Sequence, residues 1–337
     1  MAHEITSTDG LVLTGQRAWH GLGRVVESAP TPREALELAG LGWSVVESAG
    51  VSGPVELGGE MVRLATDTHK LLVRSDSREV LGVVEDGYKP VQNAELAEFA
   101  AALADEGDVC RVESAGSIRG GKRVWFLVRG ESFSVGSWGK DEVHRYLLIA
   151  NGHDGSLAVT CQPTSIRVVC SNTLHMSLGR GKATAVRFKH EGDVASKLDE
   201  ARRALKLFHA TGKEFAETAR NLSARTMSRD ELQRFYLDVY SAVEEPLPAA
   251  PKTDRERRAV RDAHQVIGQW ARNFDRERSL AGETAWNALN SVTRWVDHQR
   301  NYRAAPAAKR EARIYGAIWG TGAEQKATVA TMAAALV

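Results

Sequence analysis

The chain has 337 residues, of which 43% are hydrophobic and 26% charged, so collagen-like, coiled-coil and largely disordered classes are excluded. Its 44 Lys and Arg balance 43 Asp and Glu to a net charge of +1. This excludes a uniformly basic nucleic-acid binder, and any such role must depend on local basic patches. Three cysteines without a C-x-x-C pair argue against a disulfide framework and a zinc ribbon.

The same features indicate where the protein acts. No basic segment followed by an apolar segment opens the chain, since Glu4 and Asp9 lie near its start, so we expect no targeting segment. No apolar run approaches the roughly 20 residues that span a bilayer. We therefore expect a location in the host-cell cytoplasm and no membrane contact. We also expect no bound metal or cofactor.

Short strands bounded by turn residues are predicted in the first hundred residues. Thr31 fits a helix N-cap, with Pro32 at the first helical position and Glu34 as the return partner of a capping box. The sequence next predicts strands at 43–46, 61–65, 71–74 and 80–84. Asn93 then caps a second predicted helix, because apolar residues follow at helical spacing: Leu96, Phe99, Ala100 and Leu103.

An antiparallel sheet is predicted between residues 109 and 189. A strand at 109–113 leads through a glycine-rich turn into a strand at 122–129. Asn-Gly and Asp-Gly are typical of hairpin turns, so the segment 151–155 predicts a turn between strands at 144–150 and 156–161. Further strands are predicted at 165–170 and 184–189.

The hydrophobic period changes from 2 to 3.6 after about residue 190, which predicts helices to the end of the chain. We therefore predict an α+β fold, with an antiparallel β-rich N-terminal domain followed by an α-helical C-terminal region. The predicted parts are a segment with a short helix at 1–40, a sheet-containing α+β domain at 41–190, and a helical region at 191–337 with a Pro-rich break near 246–251. From residue 188 onward, 25 Lys and Arg face 20 Asp and Glu, so the second part is the more basic.

The segment Gly116 to Lys122 has the glycine and lysine spacing of a phosphate-binding loop. That loop also needs Ser or Thr after the lysine and a helix that begins there, but Arg123 and a strand-like run follow. We interpret it as a basic hairpin turn. Arg119, Lys122 and Arg123 would then form a basic tip able to contact phosphates.

Metal and nucleophile chemistry have weaker support. His153 and Asp154 could join Cys161, Cys170 and His175 as metal ligands, but the two cysteines are separated by eight residues on two predicted strands. The alternative treats the cysteines as core residues and the 151–155 segment as a turn. No Gly-x-Ser-x-Gly or His-Glu-x-x-His motif is present, so no catalytic residue is assigned.

Two further segments could bind phosphates. A helix that begins after Arg167, at one of the residues 171–173, would offer free backbone N–H groups to a phosphate, and Arg167 is predicted to assist in binding the nucleic acid. Plain helix capping is the alternative explanation of residues 171–173. The most basic window, from Arg294 to Trp319, interleaves cations with aromatic rings such as Trp295, a chemistry typical of single-strand binding. We call it the basic-aromatic window. The alternative is a solvated arginine face with aromatics in the core. The residues of this window that we predict to bind nucleic acid are Arg300, Tyr302, Arg303, Lys309, Arg310 and Arg313.

Several motifs together resemble one known family. They include Ala18-Trp19-His20-Gly21-Leu22-Gly23, Asn151-Gly152-His153-Asp154-Gly155-Ser156, Arg167-Val168-Val169-Cys170-Ser171-Asn172-Thr173-Leu174 and Ala285-Trp286-Asn287-Ala288-Leu289-Asn290. The chain is similar in these to the phage/plasmid-like protein family built on domain of unknown function 932. The resemblance implies a gene of a phage, prophage or plasmid. No activity is established for the family, so it transfers no catalytic role.

Three functions remain open. The first is a non-enzymatic DNA-binding protein of mobile-element recombination or replication, acting in single-strand binding or annealing, with single-stranded DNA as the favoured partner. A homo-oligomer would multiply its phosphate contacts. The second is an interaction module that binds a host protein and antagonises a host defence system. The third is an enzyme with a site around His153 and Asp154.

Overall fold

The computed structural model of the protein describes residues 10–15, 23–105, 111–136, 141–167, 172–175, 186–188, 194–244, 246–301, 316 and 320–337. The motif residues Trp19, His20 and Gly21 lie outside the described residues. So do Tyr302, Arg303, Lys309, Arg310 and Arg313 of the basic window.

Two short helices pack in the first part of the chain. Helix α1 is Pro32–Leu38, and Thr31 caps it in a capping box with Glu34, which confirms the predicted start. Helix α2 is Asn93–Asp105 and buries the four apolar side chains that predicted it. Both helices contribute to a core with strand residues such as Val112 and Phe126, each fully buried.

The strands of the described residues form three sheets in which antiparallel pairs predominate. Their order is β12-β11-β10-β9-β8-β1-β2 in the largest sheet, where β13 also pairs with β11, then β3-β6-β7 and the pair β4-β5. Only β1 and β2 pair in parallel among the described registers. The strands are β1 Leu11–Thr14, β2 Arg24–Val26, β3 Val45–Glu47, β4 Val51–Leu57, β5 Glu60–Thr66, β6 His69–Arg74, β7 Val80–Glu85, β8 Arg111–Ile118, β9 Arg123–Val135, β10 Asp141–Gly152, β11 Val159–Arg167, β12 Asn172–His175 and β13 Val186–Phe188.

Helices dominate the chain after β13. They are α3 Val194–Ala224, α4 Arg229–Val243, α5 Asp254–Ala281, α6 Ala285–Arg294, a π-helical turn Trp295–Gln299, and α7 Thr321–Ala334. Capping boxes begin α4 at Ser228 and α5 at Thr253, and Pro246, Pro248 and Pro251 lie between these two helices. The α+β fold is therefore confirmed, with antiparallel sheets first and helices second. No helix in the described ranges is long and apolar enough to cross a membrane.

Contacts divide the chain into two compact units that alternate along the sequence. Unit 1 comprises Met1–Gly130, Leu147–Gln162 and Ala185–Lys206, and unit 2 comprises Glu131–Tyr146, Pro163–Thr184 and Leu207–Val337. Unit 2 has an aromatic core in which Trp270, Trp286 and Tyr236 are almost fully buried. The predicted domain boundaries stay predictions, because contacts within a folded chain do not show which segments fold independently.

Candidate nucleic-acid interface

The β8–β9 turn confirms the hairpin interpretation of the Gly116–Lys122 segment. Strands β8 and β9 pair antiparallel up to Ile118 and Arg123, and residues 119–122 form the turn. Arg119, Gly120 and Gly121 all have positive φ, which Gly adopts without steric cost. A strand therefore follows the lysine, and no helix N-terminus is available there to bind a phosphate.

Arg123 lies inside unit 1 instead of at an exposed tip. It is only 4% exposed, and its Nη1 donates to Asp154 Oδ1 at 2.5 Å, while Nη2 donates to Ser156 Oγ. Burial alone would raise the pKa of the Asp154 carboxyl, but the hydrogen bonds from Arg123 and the Ser156 backbone outweigh it and the pKa lies below the ordinary 3.8. A phosphate contact needs an exposed cation, so the proposed phosphate-binding surface does not include Arg123.

Arg119 and Lys122 are half-buried at the same turn. The Lys122 carbonyl accepts the His153 backbone N–H at 3.0 Å and Arg123 Nη1 at 2.9 Å. The turn is therefore bonded to the β10–β11 turn through its backbone. Whether the side chains of Arg119 and Lys122 contact phosphates stays a prediction.

His153 is a fully buried member of a structural cluster. Its Nε2 lies 2.9 Å from Asn93 Oδ1, and its ring meets Trp43 edge-on with centroids 5.4 Å apart. Asn93 Nδ2 in turn donates to the carbonyls of Leu41 and Trp43. Asn151 is also buried and donates to the Val91 carbonyl at 3.3 Å. These contacts join the β10–β11 turn to the start of α2.

Two surface depressions of the described chain lie away from this cluster. They have volumes of about 520 and 560 Å³ and are lined by residues between Arg24 and Leu38 and between Ala49 and Asp67, so neither contains His153 or Asp154. No group of three or more His, Cys, Asp or Glu that could hold a metal ion occurs among the residues searched. Of the turn residues, Gly155 is exposed and has a φ of 76°, as a tight turn requires.

The helix predicted after Arg167 is wrong. Asn172–His175 is strand β12, which pairs antiparallel with β11 so that Arg167 faces Asn172 and Ile166 faces Thr173. The reason is non-local: pairing with a long neighbouring strand outweighs the local capping preference of Ser, Asn and Thr. The phosphate site predicted at that helix N-terminus is therefore also withdrawn.

The motif residues of α6 lie in the core of unit 2. All residues from Ala285 to Thr293 are buried. Trp286 Nε1 donates to Asp141 Oδ2 at 2.8 Å, and Asn290 Nδ2 donates to the Trp286 carbonyl at 2.8 Å. Next along the chain, Asp297 in the π-helical turn pairs with Lys326 of α7 at 2.6 Å, and both side chains are at most 2% exposed. The motif positions a polar core.

The described part of the basic-aromatic window is packed rather than open. Trp295 is buried and its Nε1 donates to Gln269 Oε1 at 2.7 Å. The side chain of Arg300 is 18% exposed and lies 3.4 Å from a Glu244 carboxylate oxygen. Trp295 fits the alternative in which the aromatics belong to the core, while the nucleic-acid role of Arg300 stays a prediction.

An arginine face on α5 was missed by the sequence analysis. At about 100° per residue, Arg258, Arg261, Arg272 and Arg276 lie within about 60° of the helix circumference. All four are exposed and have no hydrogen bond or ion pair within the described residues. The opposite side of α5 carries Trp270, which is fully buried in the core. The i, i+3 and i, i+4 spacing of the arginines was a signal that could have found this face.

Neighbouring charges leave the arginine face positive. Asp254, near its start, is paired with Arg257 at 2.7 Å. Asp262 and Asp275 lie about 40° beyond its two edges, so two carboxylates flank four cations. The face extends for about 27 Å at ~1.5 Å per residue, which matches about eight nucleotides of one strand at ~3.4 Å each. The charge and the length of this face fit contact with the phosphates of one strand.

Comparison with known proteins gives the family. A family model described as Domain of unknown function (DUF932) matches residues 80–319, more than two thirds of the chain. No curated protein and no solved structure matches the chain. The matched residues include the β8–β9 turn, the β10–β11 turn, α5 and the α6 motif. The chain therefore belongs to the family defined by domain of unknown function 932.

Proposed function

We propose that the protein is a non-enzymatic DNA-binding protein of a phage or plasmid, that it acts on single strands in recombination or replication, and that it contacts phosphates through the arginine face of α5. The observation that supports this most is the set of four exposed arginines on one helix face, without a carboxylate partner in the described ranges. Free cations of this kind release counterions when they meet a phosphate backbone.

The proposed contact is with the strand backbone rather than with the bases. The described tryptophans nearest to the arginine face, Trp270 and Trp295, are buried and cannot stack on bases. Since the net charge is only +1, the affinity depends on the local concentration of cations on this helix. We therefore expect binding that is steeply salt-dependent and weakly dependent on sequence.

Fluorescence anisotropy with labelled single-stranded and duplex DNA across a salt series tests the proposal. Replacing Arg272 and Arg276 by Ala should weaken single-strand binding and reduce the slope of log K against log salt by about 1.4 for each copy that contacts the strand, at ~0.7 per lost phosphate contact. The matched control replaces two exposed arginines of α4, Arg229 and Arg234, and should leave the slope unchanged. Equal losses in the two double variants would show that only net charge matters and would contradict the proposed interface.

The enzyme hypothesis and the interaction hypothesis differ in the observations that support them. The enzyme hypothesis needs an accessible site around His153 and Asp154, and the fully buried imidazole and the Arg123–Asp154 ion pair give it no support. The interaction hypothesis needs exposed apolar surface, and unit 1 has such a surface.

A further inference from the structure

Exposed apolar side chains are concentrated in one segment of unit 1. Ten large hydrophobic residues of the described chain are exposed, and eight of them lie between residues 46 and 83: Val46, Val55, Leu57, Met61, Val62, Leu64, Val80 and Val83. Scattered exposed hydrophobics need no explanation, but a concentration of this kind marks an interaction surface.

The first patch is one face of the β4–β5 hairpin. Val55 pairs with Val62, and Leu57 and Leu64 lie two residues further along their strands. Because alternate side chains point to the same face, these four residues share one side of the hairpin, with exposures of 39%, 37%, 52% and 49%. The other side carries polar groups such as Arg63, which donates to a neighbouring serine at 3.1 Å. We call the first side the hairpin face.

The hairpin forms without cover from the rest of the described chain. Every residue of β5 is exposed, and β4 is exposed at five of its seven positions. An isolated two-stranded hairpin is at best marginally stable in water. The hairpin face also carries Glu60, which pairs with Leu57 next to the turn, and its other large side chains are apolar. A regular pairing of seven residues with one largely apolar face therefore indicates that another surface covers it.

The second patch is the outer side of the β3-β6-β7 sheet. Val46 pairs with Val73, which pairs with Val80 across the sheet, and Leu71 pairs with Val83. Val46, Val80 and Val83 are 51%, 48% and 55% exposed. We call this side the sheet face. Both faces belong to unit 1, and both consist mainly of β-branched and leucine side chains.

We propose that a second copy of this chain covers both patches, with the hairpin face of each copy packed on the sheet face of the other. Strand lengths and a strand spacing of about 4.8 Å give areas of about 230 Å² for the hairpin face and about 240 Å² for the sheet face. One such contact covers about 470 Å² in total, and the reciprocal arrangement about 950 Å², which is close to the ~1,000 Å² expected of a biological interface and typical of a weak association.

The area of the contact favours a second copy of the chain as the partner that covers the two patches. A foreign partner on one patch leaves the other exposed and has only half of the area. A second copy carries the complement of both patches and uses each of them once, as an isologous two-fold interface requires.

Sedimentation velocity of the full chain without DNA tests the proposal. We expect the wild type to be a dimer at high micromolar concentration. Leu64→Lys on the hairpin face and Val83→Glu on the sheet face should each raise the dimer dissociation constant at least about tenfold, since each replaces apolar contact by a charge. Met61→Lys is the matched control, because Met61 is 68% exposed and lies on the opposite side of the hairpin. It should leave the constant unchanged.

A mixing experiment identifies which surfaces meet. The Val83→Glu copy keeps its hairpin face, and the Leu64→Lys copy keeps its sheet face, so one half of the interface stays intact in the mixed dimer. In the other half, the introduced lysine would meet the introduced glutamate, and the opposite charges attract. The mixture should therefore associate more tightly than either variant alone.

Three results would overturn the proposal. If the wild-type chain stays monomeric at every concentration, a second copy does not cover the patches and a different protein must do so. Weakening by Leu64→Lys but not by Val83→Glu shows that hairpins pair with hairpins. Equal weakening by Met61→Lys shows that the added charge, not the hairpin face, matters. The α5 arginine variants should still dimerise, so failure of this proposal is distinct from failure of the DNA-binding proposal.

Discussion

The ion pair between Asp297 and Lys326 allows a sharp test of how unit 2 is stabilised. The Lys326 Nζ lies 2.6 Å from Asp297 Oδ1, and the two side chains are 1% and 2% exposed. Burial lowers the pKa of the Lys326 ammonium, whereas the neighbouring carboxylate raises it. The carboxylate therefore favours the charged form of the lysine in the core. Lys326→Met should remove the ammonium that lies next to the buried Asp297 carboxylate.

The expected cost is large for one substitution. Removing one partner of a buried pair costs about 3–5 kcal/mol, against a total stability of about 5–15 kcal/mol for a typical protein. At about 2–4 °C per kcal/mol for a unit of this size, the melting temperature should fall by about 6–20 °C. Tryptophan fluorescence during urea and thermal unfolding measures this directly, because Trp270, Trp286 and Trp295 lie in the same core. Lys213→Met, at an exposed position of α3, is the control and should change little.

A double variant tests the reasoning itself. Asp297→Asn keeps the shape of the side chain, so combining it with Lys326→Met removes both charges of this pair. The double variant should be more stable than the sum of the two single losses implies, by about 0.5–3 kcal/mol. Strict additivity would refute the claim that the pair acts as a unit. A near-wild-type Lys326→Met variant would refute the claim that the lysine is needed to neutralise the core.

Three further substitutions test other contacts. Trp286→Phe keeps most of the ring packing but removes the hydrogen bond to Asp141. The free energy of unfolding, measured by urea titration, should therefore fall by about 1–3 kcal/mol. Asp154→Asn should flatten the acid limb of a stability–pH curve: the folded pKa of Asp154 is lowered, so its contribution is present above pH 3.8 and is lost as the pH falls through the folded pKa. Gly82→Ala should destabilise the chain in a thermal shift assay, because its Cβ would lie 2.6 Å from the Asp154 backbone, whereas Gly53→Ala meets open space and should be tolerated.

Local signals predicted the helices well. The capping box at Thr31 and the apolar repeat after Asn93 both act within a few residues of the chain, and the structure has helices at both places. The long helices after residue 190 have the predicted period because each must bury one side. Their boundaries also follow from local chemistry, with the prolines at 246–251 between α4 and α5.

Non-local pairing explains the strands that sequence reasoning missed or misassigned. β1, β2 and β4 were not predicted, since their residues become strands through partners elsewhere, such as β8 for β1. At Asn172, local preference favoured a helix start, and antiparallel pairing with β11 prevails. A residue that gains most of its stabilisation from a distant partner leaves little local signal.

The sequence also did not predict which polar side chains are buried. His153 lies in a segment with the composition of an exposed turn, yet it is fully buried because Asn93 and the Lys122 carbonyl satisfy it from 60 and 31 residues away. Asp297 and Lys326 are separated by 29 residues, and neither shows its partner in the sequence. The α5 arginine face differs, because its spacing was visible. The face itself carries no interleaved aromatic residues, which are the usual sequence signal of single-strand binding.

The two proposed surfaces together predict how DNA binding depends on salt. The arginine face of one copy offers four cations, which gives a slope of about −2.8 for single strands at ~0.7 per phosphate, while a dimer that engages one strand with both faces gives about −5.6. Leu64→Lys keeps every arginine of α5 but should break the dimer, so its slope should be half that of the wild type. Met61→Lys adds the same charge to the same hairpin and should keep the full slope. If Leu64→Lys also keeps the full slope, each copy binds DNA alone, and four arginines on one helix must then account for the affinity of a chain with a net charge of only +1.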